Sequence, residues 1–158
     1  MLYNTPTLSL VARDLYIGTI ENAKYLLWDN PNGIEAVVNV SGEEYDQNPN
    51  ITYLNVPLED GKSIPKDKFD TCMKFLADCD AKEMPTLVHC HIGASRSPVI
   101  AASHMLKLRQ KKYPEKEFTL EGVLSLIKMV RPMILPSPAL IRSAKVLLGL
   151  FPYNEGVS

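Results

Sequence analysis

The 158 residues predict a single-domain α/β fold, with a central, mostly parallel twisted sheet of four to five strands flanked by helices. Three observations carry that reading. Short apolar runs alternate with helical patterns, as parallel strands joined by crossover helices require. Hydrophobic residues make up 46% and charged residues 22%, which suits a chain that buries a core and argues against disorder. The length fits one domain and leaves little room for a second. There is no internal repeat, low-complexity block or linker, so one domain is expected over residues 1–150, with FPYNEGVS (151–158) as a frayed tail.

The expected strands are Leu15–Ile17, Ala36–Val40, Thr52–Val56 and Thr86–His89. Between the first two, Glu21–Trp28 reads as a short helix closed by the turn signal DNPNG. From Lys66 to Cys79, the residues Phe69, Cys72, Met73, Leu76 and Cys79 recur at helical spacing. Ser97-Pro98 and Ser137-Pro138 each look like an N-cap followed by proline at the first helical position. A further helix, Thr119–Val130, stops before Arg131-Pro132.

Seventeen Lys and Arg against eighteen Asp and Glu leave a net charge of -1. That balance excludes binding of nucleic acid or an anionic membrane by bulk charge. Any anion must therefore be held by a local site. The three cysteines, Cys72, Cys79 and Cys90, form no disulfide framework, which favours a reducing compartment. No secretory signal, membrane-spanning run or lipidation box is legible, so the expected location is cytoplasmic, with the nucleus also open to it.

The chemistry is concentrated in TLVHCHIGASRSPVIAASHML, residues 86–106. An apolar strand runs into Cys90, a loop containing Gly93 follows, and then Arg96, Ser97 and a helix. A loop entering a helix N-terminus can turn several backbone N–H groups inward as a nest for phosphate or sulfate. Gly93 permits backbone angles or close approaches that a side chain forbids. Arg96 is placed to grip two oxyanion oxygens in a fork that lysine cannot supply. In that positive field Cys90 is expected to ionise below the free thiol value of about 8.5, making a nucleophile. Neither other cysteine has an arginine six positions on, since Cys72 is followed there by Asp78 and Cys79 by Pro85.

Hydrolysis of a phosphate ester also needs a proton for the leaving oxygen. The strand at 52–56, the helix at 66–79 and the strand at 86–89 read as one βαβ unit. Both strands then end at the same sheet edge, where α/β proteins place ligands. The loop PLEDGKSIP opens on that edge and offers Asp60, with Glu59 as its rival, as general acid and then base.

HCHIGASRSP resembles the signature loop of cysteine-dependent protein phosphatases of the compact dual-specificity type. The likeness extends through LYIGTIENAKYLL, AVVNVSGEE, TYLNVPLED and FTLEGVLSLIKMVRP. It implies a protein tyrosine phosphatase-like fold and removal of phosphate from phosphotyrosine and phosphoserine or phosphothreonine through a cysteinyl-phosphate intermediate. It implies that Cys90 is the nucleophile and that Arg96 binds phosphoryl oxygens. By the same likeness, Ser97 bonds the thiolate, Asp60 is the general acid and His89 holds the loop and lowers the thiol value. His91, Ile92, Gly93, Ala94, Ser95 and Arg96 would form the phosphate loop. One departure is Ser137, where many members carry asparagine; it touches only a supporting loop contact.

No cofactor or metal is expected, because adjacent His89, Cys90 and His91 point in different directions and no further Cys/His pair completes a tetrahedral set. Cys72 and Cys79 read as core packing, with a resolving role toward oxidised Cys90 left open. His104 reads as an ordinary helix residue. The run Lys107, Arg109, Lys111, Lys112 reads as a solvated helix end complementing the dipole, with a docking patch as the alternative. The near-neutral loop positions His91, Ile92 and Ala94 favour a single phosphate on a protein side chain over a polyphosphorylated ligand. The expected partner is a phosphorylated protein met by a monomer, with no nucleic acid and no membrane. Two rivals share the pocket: a non-catalytic phosphoprotein-binding module, and a sulfurtransferase.

Overall fold

A computed structural model describes residues 8–150; the segment 151–158, expected to be a tail, lies outside the described residues. Among the described residues five strands form one sheet, β1 (Ser9–Ala12), β2 (Leu15–Gly18), β3 (Ala36–Asn39), β4 (Thr52–Asn55) and β5 (Thr86–His89), in the order β1-β2-β5-β3-β4. The helices are α1 (Ile20–Tyr25), α2 (Lys66–Ala81), α3 (Arg96–Lys112), α4 (Leu120–Val130) and α5 (Pro138–Leu147).

The α/β architecture and its parallel sheet are as the sequence predicts. Strands β2, β5, β3 and β4 are parallel, and β1 pairs antiparallel with β2. The sequence reading missed β1. That edge strand is mostly half-buried and carries a register irregularity between Leu10 and Ala12, so its pattern is weak. Strand β3 sits between β4 and β5, which corrects the simple βαβ pairing, although both still run the same way.

The central strands read as continuous apolar runs because helices cover both faces. Successive residues point to opposite sides. Val38 and Val88 enter the large core beneath α2, α3, α4 and α5, and Val37 and Leu87 face Ala23, Leu26 and Ile34 on the other side. Cys72 and Cys79 lie buried on the inner face of α2. Burial pushes the Cys72 thiol up to about 12.

Two helix boundaries differ from expectation. Helix α1 ends at Tyr25, because Leu26 and Leu27 donate to Ala23 and Lys24 and tighten the chain into turns. Helix α3 begins at Arg96, so Ser97 is not an N-cap. It lies buried in the first turn, where Pro98 is tolerated because that turn lacks intrahelical partners for its N–H groups. Ser137 does cap α5, accepting from Leu140 N, with Pro138 at the first position. Thr119 caps α4 through Gly122 N.

The register pairs Gly18 with His89, His89 with Asn39, and Asn39 with Asn55. The four parallel strands therefore finish along one line, and the loops after β3, β4 and β5 leave the same edge of the sheet.

Candidate active site

Cys90 follows β5 directly and is buried as a free thiol. The carbonyl oxygens of the loop that begins there all have donors elsewhere. The Cys90 carbonyl accepts from His89 Nδ1 (2.9 Å) and the His91 carbonyl from Ile20 N (2.9 Å). The Ile92 and Gly93 carbonyls accept from Arg131 Nη2 (3.2 Å) and Nε (2.9 Å). The Ala94 carbonyl accepts from Leu135 N (2.7 Å). With five consecutive carbonyls anchored outside the loop, its N–H groups are left to face the pocket, which is the arrangement an anion nest needs.

Gly93 makes this path possible. It sits at φ +71°, and a Cβ there would lie 2.5 Å from the Gly18 carbonyl oxygen and 2.6 Å from Arg131 Nη2. Neither the angle nor the space admits a side chain.

Burial raises the Cys90 thiol value, but the Ser97 hydroxyl, the backbone N–H groups of Ser97 and Gly93, and the Arg96 charge together bring it below the ordinary thiol value. The Ser97 Oγ lies 3.3 Å from Sγ. Arg96 is fixed from behind: its Nη1 donates to the carbonyls of Ser41 and Leu58, both at 3.1 Å. This turns its Nε–Nη2 edge into the available fork.

The structure separates the two acid candidates. Asp60 Oδ1 accepts from Ser95 Oγ at 2.7 Å, so this side chain leans onto the loop. Glu59 instead pairs with Lys62 at 3.5 Å among exposed side chains. Ser95 Oγ also accepts from Ser137 N (3.0 Å). Ser137 thus touches the loop through its backbone.

His89 is buried against Tyr45, whose hydroxyl is 2.8 Å from Nε2. Because the Cys90 carbonyl can only accept, Nδ1 carries the proton. Burial lowers the His89 value to about 4, so the ring is neutral and Nε2 accepts from Tyr45. Burial likewise keeps the Tyr45 hydroxyl protonated by raising its value. His89 therefore holds the loop by hydrogen bonds and supplies no charge to the thiolate, which refines the role the resemblance implies. His91 faces the opposite way, with Nδ1 2.9 Å from Glu43 Oε2 at the exposed rim.

Sequence reasoning passed over Arg131 and Tyr45. Arg131 had a readable signal, since it continues the buried stripe Leu120, Leu124, Ile127 of α4 at helical spacing. A charge on an apolar stripe asks for a buried partner. Tyr45 had none, being one aromatic residue in a polar loop. That loop is shaped by buried Asn39, which donates to the Glu43 carbonyl (2.9 Å) and accepts from Ser41 N (2.9 Å).

His104, in the middle of α3, is also buried and also lowered to about 4 by burial, so it is less ordinary than its helical position suggests. For both histidines the folded value lies below the unfolded one near 6.5, and the unfolded chain takes up the proton first. Their contribution to stability is complete above about pH 6.5 and is lost as pH falls toward 4. At pH 5 each is expected to cost about 2 kcal/mol. Urea unfolding at pH 7 and pH 5 reads this directly, and a His104→Gln variant should lose about half of the difference.

Among the described residues, no group of three His, Cys, Asp or Glu is arranged to hold a metal ion. No described helix is long and apolar enough to cross a membrane.

The catalytic-domain model of the dual specificity phosphatases matches residues 15–145. The chain belongs to this family. Human dual specificity protein phosphatase 15 is 30% identical over 125 residues, an alignment covering 78% of this chain and 40% of that protein. Dual specificity protein phosphatase OPG106 of vaccinia virus (strain Western Reserve) is 29% identical over 116 residues, covering 70% of this chain and 66% of the relative. The chain thus spans about half the length of the human relative. In three dimensions it is similar to the crystal structure of DUSP15, with TM-score 0.75 and 26% identity over 94% of this chain and 88% of the other. A human DUSP28 variant gives TM-score 0.79 at 21% identity, covering 97% and 99% of the two chains. That likeness speaks to the fold.

Proposed function

We propose that this dual specificity phosphatase family member hydrolyses phosphomonoesters on protein tyrosine, serine and threonine side chains. The observation that carries the reading is the Cys90–Arg96 loop, with its carbonyls tied outward and its thiol value lowered. The Cys90 thiolate attacks phosphorus, forming an S–P bond as the ester P–O bond breaks. Asp60 gives its proton to the leaving oxygen. Water then attacks the cysteinyl-phosphate, Asp60 takes a proton from it, and the S–P bond breaks to release phosphate. Ser97, 3.3 Å from Sγ, stabilises the departing thiolate by donating to it. Arg96 and the loop N–H groups hold the equatorial oxygens throughout.

Residues 1–150 form the catalytic domain in this reading. It works as a monomer in the cytoplasm or nucleus, in keeping with three free cysteines. It needs neither metal nor cofactor, because a thiolate nucleophile and a carboxyl acid suffice.

The test is a panel of matched phosphotyrosine, phosphothreonine and phosphoserine peptides given to wild type and Asp60→Asn. Asp60→Asn is expected to lower turnover by about 10²–10⁴-fold, the usual share of acid–base catalysis. The loss should shrink for aryl phosphates whose leaving group departs without a proton. An unchanged rate on poor leaving groups would move the acid role to Glu59, and absence of turnover on every phosphopeptide would overturn the enzyme reading.

A further inference from the structure

Two kinds of exposed side chain surround the Cys90 loop. Glu43 bonds His91 and Asp60 bonds Ser95, with Glu44 and Glu59 their exposed chain neighbours. Beside them are aliphatic side chains: Ile92 is 60% exposed, Leu135 78%, Val130 53% and Met133 45%. Ile92 lies in the loop itself, and the others come from the segment that anchors it. Leu135 N donates to the Ala94 carbonyl, and Arg131, between Val130 and Met133 in the chain, reaches the Ile92 and Gly93 carbonyls. A single exposed aliphatic residue is ordinary, but a group of them beside a polar pocket calls for an occupant.

We propose that this aliphatic rim binds an apolar side chain of the substrate lying within two residues of the phosphorylated one. The preferred substrates are then phosphopeptide segments with an aliphatic neighbour. The inference rests on the phosphatase reading above and narrows its substrate class. A phosphate seated over Cys90 determines where the flanking residues run, and Ile92 lies only two positions further along the loop. A residue flanking the phosphorylated one is within reach of Ile92, and burial of a leucine side chain against Ile92 and Leu135 removes apolar surface of both partners from water. A membrane surface fits less well, because Glu43, Glu44 and Glu59 would meet its anionic headgroups.

The test uses two phosphotyrosine peptides that carry leucine or serine at the four positions within two residues of the phosphotyrosine. Wild type is assayed for kcat/KM on both and on an aryl phosphate. The Cys90→Ser protein is titrated with both peptides to read binding without turnover. The leucine peptide is expected to be favoured about tenfold, which corresponds to about 1.4 kcal/mol, and Leu135→Ser should reduce that ratio to below about threefold. A ratio near one in both assays overturns the rim, as does a ratio that Leu135→Ser and Met133→Ser leave untouched. Stronger binding to phosphoinositide-bearing vesicles than to either peptide also overturns it, in favour of a lipid. If wild type leaves the aryl phosphate intact while the binding ratio persists, the phosphatase reading fails and the rim stands.

Discussion

Cys90→Ser is expected to reduce turnover of every phosphomonoester by on the order of 10⁵-fold or more, the scale of removing an enzyme's nucleophile. The substitution changes one atom in a site whose other parts stay in place. In the proposed mechanism Cys90 reacts as a thiolate, because the Ser97 hydroxyl, two backbone N–H groups and Arg96 overcome the burial that opposes ionisation. An aliphatic hydroxyl in that position stays protonated at neutral pH under the same influences, so little nucleophile forms. The carbonyls from Cys90 to Ala94 keep their outside donors, and phosphate should still bind. The measurement is kcat by steady-state kinetics beside phosphopeptide binding by titration. Retained turnover would remove Cys90 from the mechanism, whereas lost binding would show that the thiol shapes the loop as well.

The second large effect is expected at a residue that touches no substrate. Arg131→Met should destabilise the fold by about 3–5 kcal/mol and also lower turnover by at least about 100-fold. The guanidinium is almost fully buried and donates to the Ile92 and Gly93 carbonyls, to Ser9 Oγ at 3.0 Å and to the Ile17 carbonyl at 3.5 Å. Methionine fills much of the space but leaves those largely buried acceptors without their donor, and each lost partner costs about 1–3 kcal/mol. The cheapest relief is for the Ile92 and Gly93 peptides to turn, which would aim carbonyls where the N–H groups now face the pocket. Phosphate affinity would then fall together with stability. Arg131→Lys should rescue only partly, because one ammonium cannot span both carbonyls as the planar fork does. Thermal unfolding and kcat/KM on an aryl phosphate decide it: loss of stability with normal kinetics in the surviving folded protein would make Arg131 purely structural.

Much of the site was legible because its chemistry is local. Cys90, Gly93, Arg96 and Ser97 fall within eight consecutive positions, and a strand before and a helix after are enough to bend them around an anion. Ser97 reads as a cap in the sequence, whereas in the structure it lies inside the first turn of α3 with its Oγ 3.3 Å from Cys90 Sγ. For the general acid, topology points to the loop that holds Glu59 and Asp60, and the resemblance prefers Asp60. The Ser95 and Lys62 contacts support that preference and depend on how one loop folds over another.

What the sequence determined by itself is the α/β class, the parallel strands that buried apolar runs demand, and the local loop in which an anion site and its nucleophile are proposed. All of these follow from hydrophobic periodicity and from residues near one another in the chain. What only the tertiary structure decided is how that loop is held open. Arg131 from the end of α4, Tyr45 from the loop after β3 and Leu135 from before α5 reach it across about 40 positions or more. Buried carbonyls must find donors wherever the fold supplies them, and such pairings leave no spacing to read in a single chain.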